Sequence, residues 1–193
     1  MTTSESIELL VAFAGGGLLA AALGWARTER SENRARAHEL AKLRLEKLYG
    51  PLYFLTEQNA HLIEHVSRIQ KATDDELVNK NWATDEQTRT TVNSDIMQAI
   101  GVANTHVSAV RKNNALICTL LSNHYSYIHI EDSDHLQKFV LDHSRMELEF
   151  PEGTGLAIPY QVYKRLGISR FLHPEMNNLV RSRVLSLQKA ISQ

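Results

Sequence analysis

Residues 61–65 read His61-Leu62-Ile63-Glu64-His65. Two imidazoles one helical turn apart can hold a divalent metal, and a carboxylate beside them can act as the base that activates a metal-bound water. The chemistry would be metal-assisted hydrolysis, and it needs a third ligand. The sequence offers Asp142 or Glu131 for that role, at no informative spacing. A second concentration, Glu131-Asp132-Ser133-Asp134-His135, crowds three carboxylates. It could attract a divalent ion, but an acidic helix start explains it equally well. Cys118 is the single cysteine, which excludes an intramolecular disulfide, and its apolar setting Leu116–Leu121 predicts a buried, inert thiol. His124 and His143 fall on apolar stripes and read as core histidines with one hydrogen bond each.

Positioning decides whether the histidine pair is a site. The pattern H-x-x-E-H is the zinc signature of the inverzincin peptidases. Those are large α+β proteins, which a chain of this length and composition cannot be. On a helix whose buried face is set by the surrounding apolar repeat, Glu64 points nearly opposite the core, and His61 and His65 share one flank. The expectation is therefore a pair of surface histidines: no metal, no cofactor and no catalytic residue is assigned, and His61 and His65 stand as metal candidates below that reading. The chain carries no phosphate-binding Gly-Lys-Ser/Thr loop, no G-x-S-x-G, no dinucleotide fingerprint and no Cys-x-x-Cys.

The element that carries the pair is a long helix. Ala41, Leu45, Leu48, Leu52, Leu55, Asn59, Leu62, Val66 and Ile69 recur at alternating steps of four and three, a helix-packing seam. Pro51 lies within it, so Gly50-Pro51 predicts a kink rather than a break, because the phase is unbroken. Asn59 is the one polar seam position and a natural register-setter. Thr73-Asp-Asp-Glu76 and Thr84-Asp-Glu-Gln87 match capping boxes, predicting a short helix to about 79 and a long one to about 112. Asn113-Asn114 reads as punctuation before a helix over about 115–129 with Leu116, Leu120, Leu121 and Ile128 aligned. A helix from Asp132-Ser133-Asp134 to about 149 aligns Leu136, Phe139, Val140 and Met146. A loop at Pro151–Gly155 and a short helix over 159–166 come next. His173-Pro174 opens the last helix, with Met176, Val180, Val184, Leu187 and Ile191 in phase. Tyr125–Ile130 alternates, but a single strand makes no sheet.

The N-terminal segment has a different logic. Leu9–Ala26 is an uncharged run of 18 residues, about 27 Å of helix and enough to cross a bilayer core. The preceding residues are acidic, unlike the basic start of a cleavable signal. Gly15-Gly16-Gly17 weakens both hydrophobicity and helix propensity, which leaves a buried soluble helix as the other reading. Arg27, Arg30, Arg34 and Arg36 follow immediately, and Trp25 sits at the interface position. The expected topology is an N-terminus outside and everything after Ala26 in the cytoplasm, on the inner membrane. Ala12, Gly16, Ala20 and Gly24 form a small-residue stripe that would let two such helices meet closely, making a homo-oligomer. The arginines could meet anionic lipid.

The chain has 193 residues, 43% of them hydrophobic and 22% charged, with 9 Gly and 4 Pro. These values exclude disordered and collagen-like classes and disfavour a turn-rich β fold. The net charge of −1 is segregated: +3 over 27–49, −7 over 72–152 and +5 over 153–193. No whole-chain basic field supports nucleic-acid binding. The basic tail (Lys164, Arg165, Arg170, Arg181, Arg183, Lys189) could touch anionic lipid or the acidic middle of the chain, with a solvated face the default reading.

At Leu48-Tyr49-Gly50-Pro51-Leu52-Tyr53 the chain resembles a loose group of uncharacterised bacterial single-pass membrane proteins. They share an N-terminal anchor, a basic stalk and an "LYxPLY" element opening a helical cytoplasmic domain. The resemblance covers about residues 5–70 and implies a bacterial or phage-encoded, membrane-anchored protein, without an activity. The expected architecture is all-α: a transmembrane anchor over 1–26, a basic juxtamembrane stalk over 27–49, and an antiparallel helical bundle over 50–193. The expected function is a self-associating, membrane-anchored interaction or scaffold protein. A membrane-tethered effector in phage exclusion or defence is the alternative, and a zinc hydrolase using His61 and His65 ranks third.

Overall fold

A computed structural model describes the backbone of residues 3–82, 86–149 and 174–192, and most of their side chains from residue 23 onward. The described residues are helical throughout, with no strand among them. The all-α class follows directly. Helix α1 spans Thr3–Arg44, a π-helical turn spans Leu45–Tyr49, and α2 spans Gly50–Trp82. Helix α3 (Glu86–Asn123) returns along α2, and α4 (Ser133–Glu149) turns back along α3. Helix α5 (Pro174–Ile191) lies against the end of α1, the π turn and the start of α2. The expected loop at Pro151–Gly155, the expected helix over 159–166, and Lys164, Arg165 and Arg170 lie outside the described residues.

The Gly-Pro step is a π turn, which explains how the seam keeps its phase through a proline. Pro51 cannot donate a backbone hydrogen bond, and its ring crowds the carbonyl one turn back. Adding one residue to the turn widens it there, the usual form of a π-bulge. The Gly50 amide donates to the Leu45 carbonyl, five residues back. A Cβ on Gly50 would lie 2.7 Å from that carbonyl oxygen, so the turn needs glycine. The extra residue also turns the helix. Tyr49 and Thr56 enter the interior with Leu48, Leu52 and Asn59, and Leu55 and Leu62 are only half-buried.

Two boundary expectations are corrected. Thr73 does not cap a new helix: it lies inside α2, and its hydroxyl donates to the Ile69 carbonyl at 2.8 Å. Asn113-Asn114 does not end α3, which runs on to Asn123. The face Ala103, Val107, Val110, Asn114, Ile117, Leu121 is continuous in phase, so Ile117 and Leu121 are buried and Leu116 stays 55% exposed. Tyr125–Tyr127 and Ile130–Asp132 are two 3-10 turns rather than a strand. The starts of α4 and α5 and their apolar faces are as the periodicity predicts.

The core gathers Ala41, Leu48, Tyr49, Leu52, Ile117, Leu121, Leu136, Phe139, Met176, Val180, Val184 and Leu187. It lies where α1, the π turn, α2, α3, α4 and α5 converge, and the α2–α3 pair extends from it as a two-helix arm. Residues 23–37 of α1 are exposed except Ala26, which is half-buried, and the first touch on the bundle comes at His38, whose Nε2 lies 3.1 Å from the Ile191 carbonyl at the end of α5. From Ala41 the chain is inside the bundle. Among the described residues no helix is long and apolar enough to cross a membrane. The run Leu9–Ala26 lies within the backbone of α1, but its side chains up to residue 22, including Ala12, Gly16 and Ala20, are outside the described residues.

Candidate functional site

His61 and His65 are both exposed on α2. Their neighbour Glu64 pairs with Arg68, whose hydrogen bond holds the Glu64 carboxyl below the usual carboxylate range. His65 stacks on His106 of α3, ring centroids 5.6 Å apart and planes 28° apart. His106 Nδ1 lies 2.8 Å from the Val102 carbonyl, which can only accept, so that nitrogen carries the proton. Stacked rings do not converge on one ion. Among the described residues no group of three or more His, Cys, Asp or Glu could hold a metal. Neither Asp142 nor Glu131 joins the pair.

The carboxylate cluster at 131–135 has a different partner. Asp132 is 1% exposed, and Arg183 of α5 grips it with two hydrogen bonds: Nε to Oδ2 at 2.9 Å and an NH2 nitrogen to Oδ1 at 2.7 Å. The same guanidinium reaches Glu131 at 3.2 Å. The Tyr49 hydroxyl donates to Asp132 Oδ2 at 2.7 Å and accepts the His129 amide at 2.9 Å. Burial, reinforced by the hydrogen bond to Asp132, pushes the Tyr49 hydroxyl well above its ordinary value, so it stays protonated. The hydrogen bond to Asp132 raises Arg183 in turn. Both Asp132 oxygens are committed, and the guanidinium holds the place a cation would take. For Arg183 the default reading of a solvated face is corrected in favour of the other one, contact with the acidic middle of the chain, whereas Arg181 and Lys189 are exposed.

A second polar cluster joins α2 to α3. Asn59 Nδ2 donates to Asn114 Oδ1 at 2.9 Å, and Asn113 Nδ2 donates to Asn59 Oδ1 at 2.9 Å and to Gln58 Oε1 at 3.1 Å. Asn59 and Asn114 are buried at 5% and 3% exposure. Arg111 and Glu147 join α3 to α4 through paired hydrogen bonds of 3.0 and 2.7 Å. Cys118 is half-buried, its thiol pushed up to about 11 by burial, which leaves it little thiolate at neutral pH. His124 tilts against Tyr127, and His143 stacks on Phe139 with its Nδ1 buried and without a hydrogen-bond partner.

Outside the bundle, the exposed part of α1 presents its arginines to solvent. Arg36 pairs with Glu32 at 3.2 Å. Arg27, Arg30 and Arg34 have no ion pair or side-chain hydrogen bond among the described residues. Leu23 and Trp25, just before them, are 64% and 69% exposed, and the space around the Cβ position of Gly24 is open.

Sequence reasoning missed Tyr49 and Asn114 as structural partners, and reached Arg183 only as one of six bases that could meet the acidic middle. Asn114 carried a usable signal, since it is in phase with Val107, Val110 and Ile117 opposite the one polar position of the α2 seam. The Tyr49–Asp132–Arg183 group carried none, because its members are separated by 83 and 51 residues. No match to the chain was found among protein-family models, among curated proteins or among solved structures.

Proposed function

We propose that this is a single-pass, membrane-anchored helical adaptor that holds a small cytoplasmic bundle away from the inner membrane and self-associates through its anchor. The observation that carries the reading is the bare stretch of α1 between Leu9–Ala26 and the bundle, with residues 27–37 exposed on every side before His38 meets the end of α5. That is about 16 Å of helix. A helix gains most of its stability in a protein from packing an apolar face. A packing-free stretch is best explained as a spacer continuous with structure at both ends, here a lipid-embedded run and the bundle. The exposed Leu23 and Trp25 fit the membrane edge of such a run, and the arginines after Ala26 fit a cytoplasmic flank. The resemblance at Leu48–Tyr53 supports the same architecture.

The self-association rests on Ala12, Gly16, Ala20 and Gly24. The α2 seam is occupied within the chain by α3, so it is not offered to a second copy, whereas the anchor has no second transmembrane segment to pack on. Gly16→Ile should weaken association by about 1–2 kcal/mol, while Leu18→Ile off the stripe should not. Equal membrane two-hybrid signals for wild type and Gly16→Ile would remove the stripe from the interface. The anchor itself is tested by carbonate extraction of cell membranes. The full chain should stay in the pellet and a chain lacking residues 2–26 should not. Release of the full chain into the supernatant would end the reading.

A further inference from the structure

The exposed segment of α1 separates its four arginines into two kinds. At 100° per residue, Leu23, Arg27, Arg30 and Arg34 fall within an arc of about 60°. Glu29, Glu32 and Arg36 lie on the opposite side. There Arg36 is neutralised by Glu32. The first face is therefore a one-sided basic stripe with an exposed leucine at its membrane end and no acid of its own.

We infer that this stripe, Arg27, Arg30 and Arg34 and not Arg36, is a binding face for anionic phospholipid headgroups. The inference rests on the membrane-anchored reading. If Ala26 marks the edge of the hydrocarbon, Arg27 lies about 1.5 Å, Arg30 about 6 Å and Arg34 about 12 Å beyond it along the axis. The headgroup layer is about 5–7 Å deep on each side. Arg27 and Arg30 stand within it directly. Arg34 reaches it by laying its long side chain back toward the membrane, or when the helix tilts toward the stripe. A one-sided stripe favours that direction of tilt, because the opposite tilt would press Glu29 and Glu32 against the phosphates. Lipid is the occupant that the surroundings select. The stripe continues from exposed Leu23, and the chain as a whole is near neutral, without the broad basic field that nucleic acid requires.

The test uses the full chain with Trp82→Phe, which leaves Trp25 as the only tryptophan. It is incorporated into phosphatidylcholine vesicles carrying acyl-labelled dansyl phosphatidylglycerol or, separately, dansyl phosphatidylcholine. Each arginine near an anionic surface contributes about a fivefold preference. Energy transfer from Trp25 should therefore report several-fold enrichment of the anionic lipid, which falls with added salt. Arg27→Gln/Arg30→Gln/Arg34→Gln should bring the two lipids to parity, while Glu32→Gln/Arg36→Gln should retain the preference. Flotation of the same proteins with vesicles separates the two readings. A chain that floats with neutral vesicles and shows no lipid preference keeps its anchor and loses this stripe. A chain that floats only with anionic vesicles, and not after the triple substitution, keeps the stripe and loses the anchor. A preference that survives the triple substitution places lipid recognition elsewhere and overturns the inference.

Discussion

The base of the bundle and the α2–α3 arm are written with the same helical repeat and bury very different amounts. At the base, Leu48, Tyr49, Leu52, Ile117 and Val180 have no exposed surface, because α5, α4 and the end of α1 close over the helix pair. Along the arm the repeat continues, yet Val66 and Ile96, at 3% and 9%, are the buried residues among the described side chains beyond Asn59 and before Val110. A pair of helices covers one stripe, and the flanks stay wet. The polar residues follow the same division. Where several elements exclude water, the interior holds a charged pair with every Asp132 oxygen satisfied. Where only two helices meet, it holds neutral amides. Periodicity states which face turns inward, but the number of neighbours decides how dry that face becomes and which polar chemistry can remain there.

The strongest way to break this contrast is at Arg183. Arg183→Met leaves Asp132 buried with only the Tyr49 hydroxyl as partner. Removing one member of a buried ion pair costs about 3–5 kcal/mol. Urea unfolding followed by circular dichroism should show that loss, and Asp132→Asn in the same chain should recover part of it, because the stranded charge is gone. A cost below about 1 kcal/mol for Arg183→Met would mean that the base closes by apolar packing alone.

The fold was legible in the sequence where neighbours on one helix carry the information. Leu136, Phe139, Met176, Val180, Val184 and Leu187 were all marked by spacing, and all are buried. The errors have two sources. Asn113-Asn114 and Thr73 have turn and cap chemistry when read locally, but each was overridden by the packing of a continuous helix. A break at Asn113 would place Leu116 on the buried face, whereas the continuous phase of α3 places Ile117 there. The Gly50-Pro51 kink was visible, but its form was not, since a π turn shifts the face by one residue and brings Tyr49 inward. The polar site was the least legible. Glu131, Asp132 and Asp134 look like one acidic cluster in the sequence, and only the arrival of α5 from 51 residues away separates buried Asp132 from exposed Glu131 and Asp134.

The arm's lock should be weaker and should respond differently. Asn114→Ala strands the buried amide of Asn59 at a cost of about 1–3 kcal/mol. Asn59→Leu with Asn114→Leu removes both polar groups and should be nearly neutral in stability. If the double variant is as damaged as the single one, the amide pair does more than satisfy itself. Gly50→Ala sharpens the base side of the comparison. In an ordinary helix that change stabilises by up to about 1 kcal/mol. Here the new Cβ meets the Leu45 carbonyl oxygen at 2.7 Å, a backbone atom that cannot step aside. The melting temperature should fall, by an amount corresponding to about 1–2 kcal/mol; a rise would show that the π turn relaxes freely to an α turn.

The smallest expected effect is at the join between the two regions, where α4 lies on α3. Burial holds His143 below its ordinary value of 6.5, Glu147 opposes that, and Arg111 adds to it. Glu147 is engaged by Arg111 through two hydrogen bonds, so its pull on an imidazolium is largely spent. A proton on the buried Nδ1 would find no hydrogen-bond acceptor, and a face of the ring stacks on Phe139. Between the lowered native value and 6.5, the unfolded chain binds the proton more readily than the folded one. Stability is therefore complete above about pH 6.5 and is lost as the pH falls toward the native value. His143→Leu removes the titrating group and keeps the apolar contact. The difference in unfolding free energy between about pH 7.5 and pH 5.5 should become smaller in that variant than in wild type. His61→Gln/His65→Gln, at exposed positions outside this join, serves as the control. Identical pH profiles for wild type and His143→Leu would show that water reaches this ring in solution, and that the α3–α4 join is as wet as the flanks of the arm.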